Sequence, residues 1–494
     1  MCPAHPSASP ASPGNTARPA PRPGAPGQGD SEHIVADLRR KVYARSVSGR
    51  YARWRVALVV LTQAVFYGLP WLNWNGRQAM LFDLGARKFY IFGMVLWPQD
   101  IIYLTVLLVI AALSLFLFTA IAGRLFCGYA CPQTVYSEIF MWIERRIEGD
   151  RLARIRLDES PWTLRKWRTK AAKHGLWLAV AAWTGFTFVG YFVPVRALGG
   201  QLLAGTAGFW PAFWMAFYAF ATWGNAGFLR EQVCKYMCPY ARFQSVMVDR
   251  DTYVVTYDAG RGDPRGHRSR AADPRASGLG DCVDCSLCVQ VCPTGIDIRD
   301  GLQYMCIGCG ACIDACDAVM AKMRYPAGLI RYTSERGVRE RLGPAAVRRA
   351  VLRPRVAIYG ALLLGLAVAL AAGLAARPTL RMDVMRDRGM LAREVPGGFI
   401  ENVYRLQIIN ASESPVALQL GAQGLDGLEV ARAEGGDHLA VPAASNRLVP
   451  VVLRLPAGNA APGVHEIVLT LARAGVAGRI AALVREPSSF IVPQ

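Results

Sequence analysis

Residues 282–316 read CVDCSLCVQVCPTGIDIRDGLQYMCIGCGACIDAC, a C-x2-C-x2-C-x3-C-P run followed by a C-x2-C-x2-C-x3-C run. In such doubled runs three closely spaced thiolates wrap one corner of a cubane cluster and the fourth ligand comes from the other run. That rule assigns Cys282, Cys285, Cys288 and Cys316 to one [4Fe–4S] cluster, and Cys292, Cys306, Cys309 and Cys312 to a second. Gly308 and Gly310 are expected to let the backbone close in on the second. Zinc modules also use C-x2-C pairs, but the doubled x2-x2-x3 rhythm favours iron–sulfur. One irregularity stands out: Pro293 follows Cys292, whereas Asp317 follows Cys316. Neither cluster offers an open site for substrate, so the pair reads as an electron relay whose acceptor lies elsewhere in the chain or beyond it.

A second cysteine pattern occurs twice. Cys127-Gly-Tyr-Ala-Cys131-Pro132 and Cys234-Lys-Tyr-Met-Cys238-Pro239 share C-x-Y-x-C-P at an offset of 107 residues. Each follows the second of two apolar segments, which implies an internal duplication with both motifs on one face, as in parallel repeats. Helical spacing puts positions i and i+4 on the same side, and the proline suits the first turn of a new helix. After Pro132, Val135, Ile139, Trp142, Ile143 and Ile147 recur opposite Glu138, Arg145 and Glu148, the pattern of an interfacial helix. If the repeats bring the pairs together, four soft thiols converge at the membrane's inner rim, a ligand set suited to Cu(I). The plainer reading is small residues packing helix ends. No C-x-x-C-H haem motif occurs, and His174 is expected to be an interfacial or capping residue.

The elements that must position these thiols are oily. Hydrophobic residues make up 53% of the 494 and the mean hydropathy is +0.22, which points to a membrane protein with soluble attachments. Five apolar segments, 56–74, 101–122, 174–194, 207–224 and 355–376, have the length of spans. Loop 123–173 holds eleven Arg/Lys against three in 75–100 and one in 195–206. The positive-inside rule then places the N-terminus, that loop and 225–354 in the cytoplasm and the C-terminus outside. The net charge of +20 follows this distribution: from Arg381 on, eleven Arg/Lys balance eleven Asp/Glu. Nucleic acid is not an expected partner. Trp54, Trp71, Trp74 and Trp97 fall near predicted span ends.

The predicted organisation is a disordered tail over 1–32, a juxtamembrane segment over 33–55 and a four-span domain over 56–224. The second motif and a linker follow over 225–270, then a 4Fe–4S ferredoxin-like α+β insert over 271–325. A linker over 326–354 leads to a fifth helix over 355–376, and a β-sandwich over 380–494 closes the chain. The runs VYRLQIINAS, SPVALQLGA, RLVPVVLRLP and GVHEIVLTLAR, separated by Gly/Pro/Asn/Ser turns, give the sandwich its signature.

From about Tyr43 onward the chain resembles the CcoG/FixG (Rdx) cytochrome c oxidase accessory proteins of bacteria. The resemblance is strongest at RKFYIFGMVLWPQD, RLFCGYACPQTVYSEIFMWIERRIEGDR, EQVCKYMCPYARFQSVMVDRDTYVVTYD and the ferredoxin run. It implies a multi-pass inner-membrane protein with an immunoglobulin-like C-terminal domain in the periplasm. It also implies a cupric reductase whose two clusters serve copper at Cys127, Cys131, Cys234 and Cys238, supplying Cu(I) for haem–copper oxidase assembly. Oxidase assembly factors or copper chaperones would receive the copper, a cytoplasmic or quinol donor would supply electrons, and a homodimer is left open. The chain is also similar to membrane quinol dehydrogenase subunits of the nitrate-reductase type, which implies the alternative of a quinol-linked carrier that ignores copper. A scaffold with structural clusters is a third reading.

Overall fold

The structure is a computed structural model that describes residues 41–270, 278–387, 392–433, 439–473 and 483–493. The predicted tail over 1–32 and Cys2 lie outside the described residues. The chain divides into a unit ending at Val42 and one running from Tyr43 to Gln494; the helices and sheets named below belong to the latter.

Helices cover all five predicted apolar segments, with shifted ends. They are α1 (Arg50–Gly68), α2 (Ile101–Ala122), then α3 (Leu125–Tyr129), α4 (Pro132–Ile147) and α5 (Arg151–Glu159) at the first motif, α6 (Leu164–Val189), α7 (Phe209–Gly224), α8 (Pro239–Met247), α9 (Ala311–Met323) and α10 (Pro354–Ala375). Two of them, Pro98–Ala122 and Pro354–Ala375, are long and apolar enough to cross a membrane, with mean hydropathies of 2.8 and 2.2. The first helix begins at Arg50 and stops at Gly68 rather than spanning 56–74, because Pro70 follows in a tight turn and 73–96 folds into short hairpins. The third begins ten residues before 174: Thr163 accepts a hydrogen bond from Lys166 N and caps a basic first turn.

The expected equivalence of two hairpins breaks down in the packing. α6 packs along α7, but the main helical partner of α2 is α10, with Tyr103 donating to Gly373 O at 3.1 Å. The C-terminal end of α2 is a junction. Its Ala120 carbonyl accepts from Arg353 at 2.7 Å, just before α10, and its Ile121 carbonyl accepts from Tyr253 N at 2.9 Å, just before the cysteine-rich unit. An arginine at a helix C-terminus satisfies orphan carbonyls and complements the dipole.

The cysteine-rich unit is bracketed by a two-stranded antiparallel sheet, Val254–Tyr257 with Ile330–Thr333, outside the predicted 271–325 on both sides. The C-terminal domain is a sandwich of two antiparallel sheets. One runs Glu429–Ala433, Ser445–Pro456, Phe399–Asn410, Leu380–Arg386; the other runs Leu439–Val441, Val416–Gln423, Gly463–Arg473, Val484–Val492. Alternate residues Val449, Val451, Leu453 and Leu455 point into a core with Tyr404, Leu469 and Phe490. The sandwich is seated on the 73–96 hairpins: Val95 and Trp97 pack on Ile409 and Ala411, and buried Asp100 binds Arg377 and Arg381. Trp97 is therefore a packed residue, whereas Trp54, Trp71 and Trp74 are exposed.

Candidate redox and metal site

The eight cysteines of 282–316 lie close together, among them Cys282, Cys288, Cys306, Cys312 and Cys316 around one apolar core. Cys292, Cys306, Cys309 and Cys312 line one cradle together with Cys288, Gly310 and Ile298. Cys316 lies within electrostatic reach of Cys282, Cys285 and Cys288. Gly308 and Gly310 adopt φ of +63° and +73°, a region open to glycine. Burial pushes the Cys316 thiol up to about 12 and the Cys288 thiol up to about 11, so iron is what would hold these sulfurs as thiolates. The donor set, the cradle and the glycines fit a cubane. Cys285 is exposed, and although Cys282 and Cys288 are buried, Cys306, Cys309 and Cys312 are more deeply enclosed than Cys288 and Cys316, so the second group lies further inward.

What the inward group faces is the first rim motif. α3 ends at Tyr129 and Pro132 opens α4 as its first residue, so the backbone turns between Cys127 and Cys131. Gly128 is pressed onto the cluster loop: a Cβ there would stand 2.8 Å from Ile307 O and 2.9 Å from Cys309 Cα. Tyr129 donates to Cys309 O at 3.1 Å, Arg124 donates to Tyr304 O, and Tyr332 donates to Gly308 O. Three side chains thus bind the carbonyls of loop 304–309, two of them from the rim segment. Cys127, Ile307, Cys309 and Ala311 share one apolar core.

The second rim motif ends in a π-turn, Val233–Met237, before Pro239 starts α8. Cys234 senses the charges of Cys131, Cys127 and Cys238, and Cys127 senses those of Cys131 and Cys238. The four rim thiols therefore gather in one neighbourhood. Burial pushes Cys127 up and Cys234 up to about 12, while Arg124 pulls both down. Among the described residues no three His, Cys, Asp or Glu side chains stand close enough to hold one ion. That is true of the eight cluster cysteines too, whose sulfurs in a cubane would bind separate irons.

Two details of the predicted motif helix change. Trp142 is exposed, and Glu148, expected on the solvent side, is buried between Lys170 and Lys173 at 2.8 and 3.1 Å. Those lysines come from α6, which a single helical wheel cannot see. His174 caps nothing; it lies within α6, stacked on Phe228 and edge-on to Trp177.

Comparison with known proteins agrees with this layout. The chain is 40% identical over 443 residues to protein RdxA of Cereibacter sphaeroides, covering 87% of this chain and 92% of that one. The chain belongs to the FixG/RdxA family. Nitrogen fixation protein FixG of Rhizobium meliloti is 38% identical over 420 residues, covering 79% of this chain and 80% of the relative. Within the FixG-like chain, residues 229–335 match the 4Fe-4S dicluster domain, 104–149 a 4Fe-4S binding domain, and 370–493 the immunoglobulin-like fold at the C-terminus of FixG. A crystal structure of a FixG-related protein from Vibrio parahaemolyticus aligns with 23% of this chain and 95% of its own at 21% identity, with a TM-score of 0.19. This FixG/RdxA member is thus an iron–sulfur electron-transfer protein with two 4Fe–4S clusters. Arg124, Tyr129 and Gln244 were not singled out by spacing. Tyr129 had a sequence sign, since tyrosine recurs in both C-x-Y-x-C-P motifs; Gln244 had none.

Proposed function

We propose that this chain passes single electrons to Cu(II) held at the rim thiols Cys127, Cys131, Cys234 and Cys238, releasing Cu(I) for assembly of a haem–copper cytochrome c oxidase. The observation that carries the reading is the contact of Gly128, inside the first rim motif, with the backbone of Cys309. Bound clusters would supply electrons one at a time, and Cu(II) gains one electron without a proton. The chain's own residues do the rest. Gly128 and Tyr129 hold the rim thiols on the loop, and the thiols retain copper as it becomes the softer Cu(I). A pair of soft thiolates is enough for Cu(I).

In this reading all five apolar helices cross the inner membrane. The cysteine-rich unit and rim lie on the cytoplasmic side, and the sandwich stands in the periplasm, where it is available to oxidase assembly factors or copper chaperones. The donor is a cytoplasmic reductant or a quinol. The test is formation of Cu(I), trapped by a Cu(I)-specific chelator, by purified holoprotein under an excess reductant. The pairs Cys127→Ser/Cys131→Ser and Cys234→Ser/Cys238→Ser are expected to lose at least tenfold in rate with iron content unchanged. Wild-type rates in both would end the copper reading.

The match of 104–149 to a 4Fe-4S binding domain favours a second reading, in which the rim cysteines bind iron–sulfur instead. Iron in excess of two clusters in the wild type, falling in the rim variants, would select it.

A further inference from the structure

Arg124 immediately precedes the first rim motif and is 8% exposed. Its hydrogen bonds go to uncharged oxygens: Nε donates to Gln244 Oε1 at 3.1 Å, and a terminal nitrogen donates to Tyr304 O. Among the described residues no carboxylate pairs with it. A buried guanidinium without a counter-charge is strongly unfavourable, so the site calls for an anion.

A bound cluster would supply one on one side, and metal-bound rim thiolates would supply another on the other. Towards the cysteine-rich unit, Arg124 shares the lining of a cavity of about 260 Å³ with Cys306, and a Cβ on Gly308 would stand 3.4 Å from its carbonyl carbon. Four thiolates outweigh the charge of a cubane core, so a bound cluster is anionic. Towards the rim, Gln244 Oε1 also accepts from Cys127 Sγ at 3.4 Å, and Gln244 is fully buried. Among the described residues Arg268, which donates to Cys282 O at 3.4 Å, also lacks a carboxylate partner, but it is only part-buried, where solvent screens its charge. Two other arginines near cluster cysteines are paired. Arg55, close to Cys309, is bound to Glu138, and Arg299, close to Cys288, is bound to Asp297 and Asp284.

We propose that Arg124 is the counter-cation shared by the Cys292/Cys306/Cys309/Cys312 cluster and the rim thiols, and that its unpaired charge raises that cluster's reduction potential. Local charge is one of the levers on such potentials. With both clusters bound, Arg124 would bias a shared electron towards the one beside the rim: the outer cluster would be oxidised, its neighbour reduced, and no proton would move. Gln244 acts through Arg124, as a positioning residue that fixes the guanidinium with an uncharged oxygen. The rim as the electron's destination rests on the function proposed above.

The test is a redox titration of holoprotein followed by electron paramagnetic resonance, with iron content measured in parallel. Arg124→Gln is expected to shift the one-electron equilibrium of one cluster about tenfold towards oxidised, ~59 mV lower. The other cluster should be unmoved, and Arg124→Lys should restore most of the shift. If Arg124→Gln fails to load iron, Gln244→Glu decides: a carboxylate against Arg124 should lower the same midpoint in the same direction. Wild-type midpoints in whichever variant loads iron would overturn the proposal, even if the rim cysteine variants lose cupric reduction. A shift in midpoint with cupric reduction intact in the cysteine variants would instead leave this assignment standing and sink the copper reading.

Discussion

At Gly128 the first rim motif has no side chain where the second, 107 residues on, carries Lys235. The atoms that a new Cβ would meet, Ile307 O and Cys309 Cα, are backbone and cannot rotate away. Gly128→Ala should therefore cost about 1–3 kcal/mol as overpacking. The cost should appear as earlier loss of cluster absorbance on heating; an unchanged midpoint would show that the loop yields freely. Glu144 makes a separate prediction. Its carboxylate is 1% exposed, 2.6 Å from Arg230, 2.9 Å from Arg154 and 4.0 Å from Lys173. Burial pushes its pKa up, but Arg230, Arg154 and Lys173 together hold it below the usual carboxylate range. A folded-state pKa below the unfolded value stabilises the fold above about pH 4.3 and gives way as pH falls through the lowered value. Glu144→Gln should cost roughly 3–5 kcal/mol at neutral pH and flatten the acid limb of a stability-versus-pH curve; an equally steep limb would contradict this. The cluster cysteines were legible because ligand spacing is local in sequence. Glu144 was not, because its partners come from three separate segments, α5, α6 and the turn after α7.

Elements are positioned by their ends. α6 opens on a basic first turn, the wrong sign for a helix N-terminus, so its Thr163 cap should matter: Thr163→Ala is expected to cost about 1 kcal/mol and Thr163→Asn little, read by thermal unfolding. Equal losses for both would show that the cap contributes nothing. The end of α2 ties three parts together through the Ala120 and Ile121 carbonyls, and this is how Arg124 comes to rest on loop 304–309. Hydropathy revealed that apolar helices exist at these five places. It did not reveal that α2 pairs with α10, because a helix that is apolar on every face carries no mark of which face meets a neighbour. The turn after Cys131 was readable for the opposite reason: proline at the first helical position is a local constraint.

On the scale of the whole molecule, charge and oil are segregated. The positive excess lies before residue 381, and the neutral sandwich sits on the 73–96 hairpins through Asp100, Arg377 and Arg381. If all five helices cross, as proposed, the two ends of the α10 helix lie on opposite sides. A reporter that is active only outside the cytoplasm should therefore work when fused after the sandwich and fail when fused in the 326–342 segment; activity at both points would refute five crossings. The proposed function links the rim thiols, grouped against the inward cluster loop, to copper, and single-turnover mixing probes that link without a steady-state donor. Holoprotein reduced in advance by one electron per cluster and mixed with two equivalents of Cu(II) should regain its oxidised cluster absorbance while two equivalents of Cu(I) appear. The Cys127→Ser/Cys131→Ser/Cys234→Ser/Cys238→Ser variant should stay reduced. Reoxidation at the wild-type rate in that variant would contradict the account.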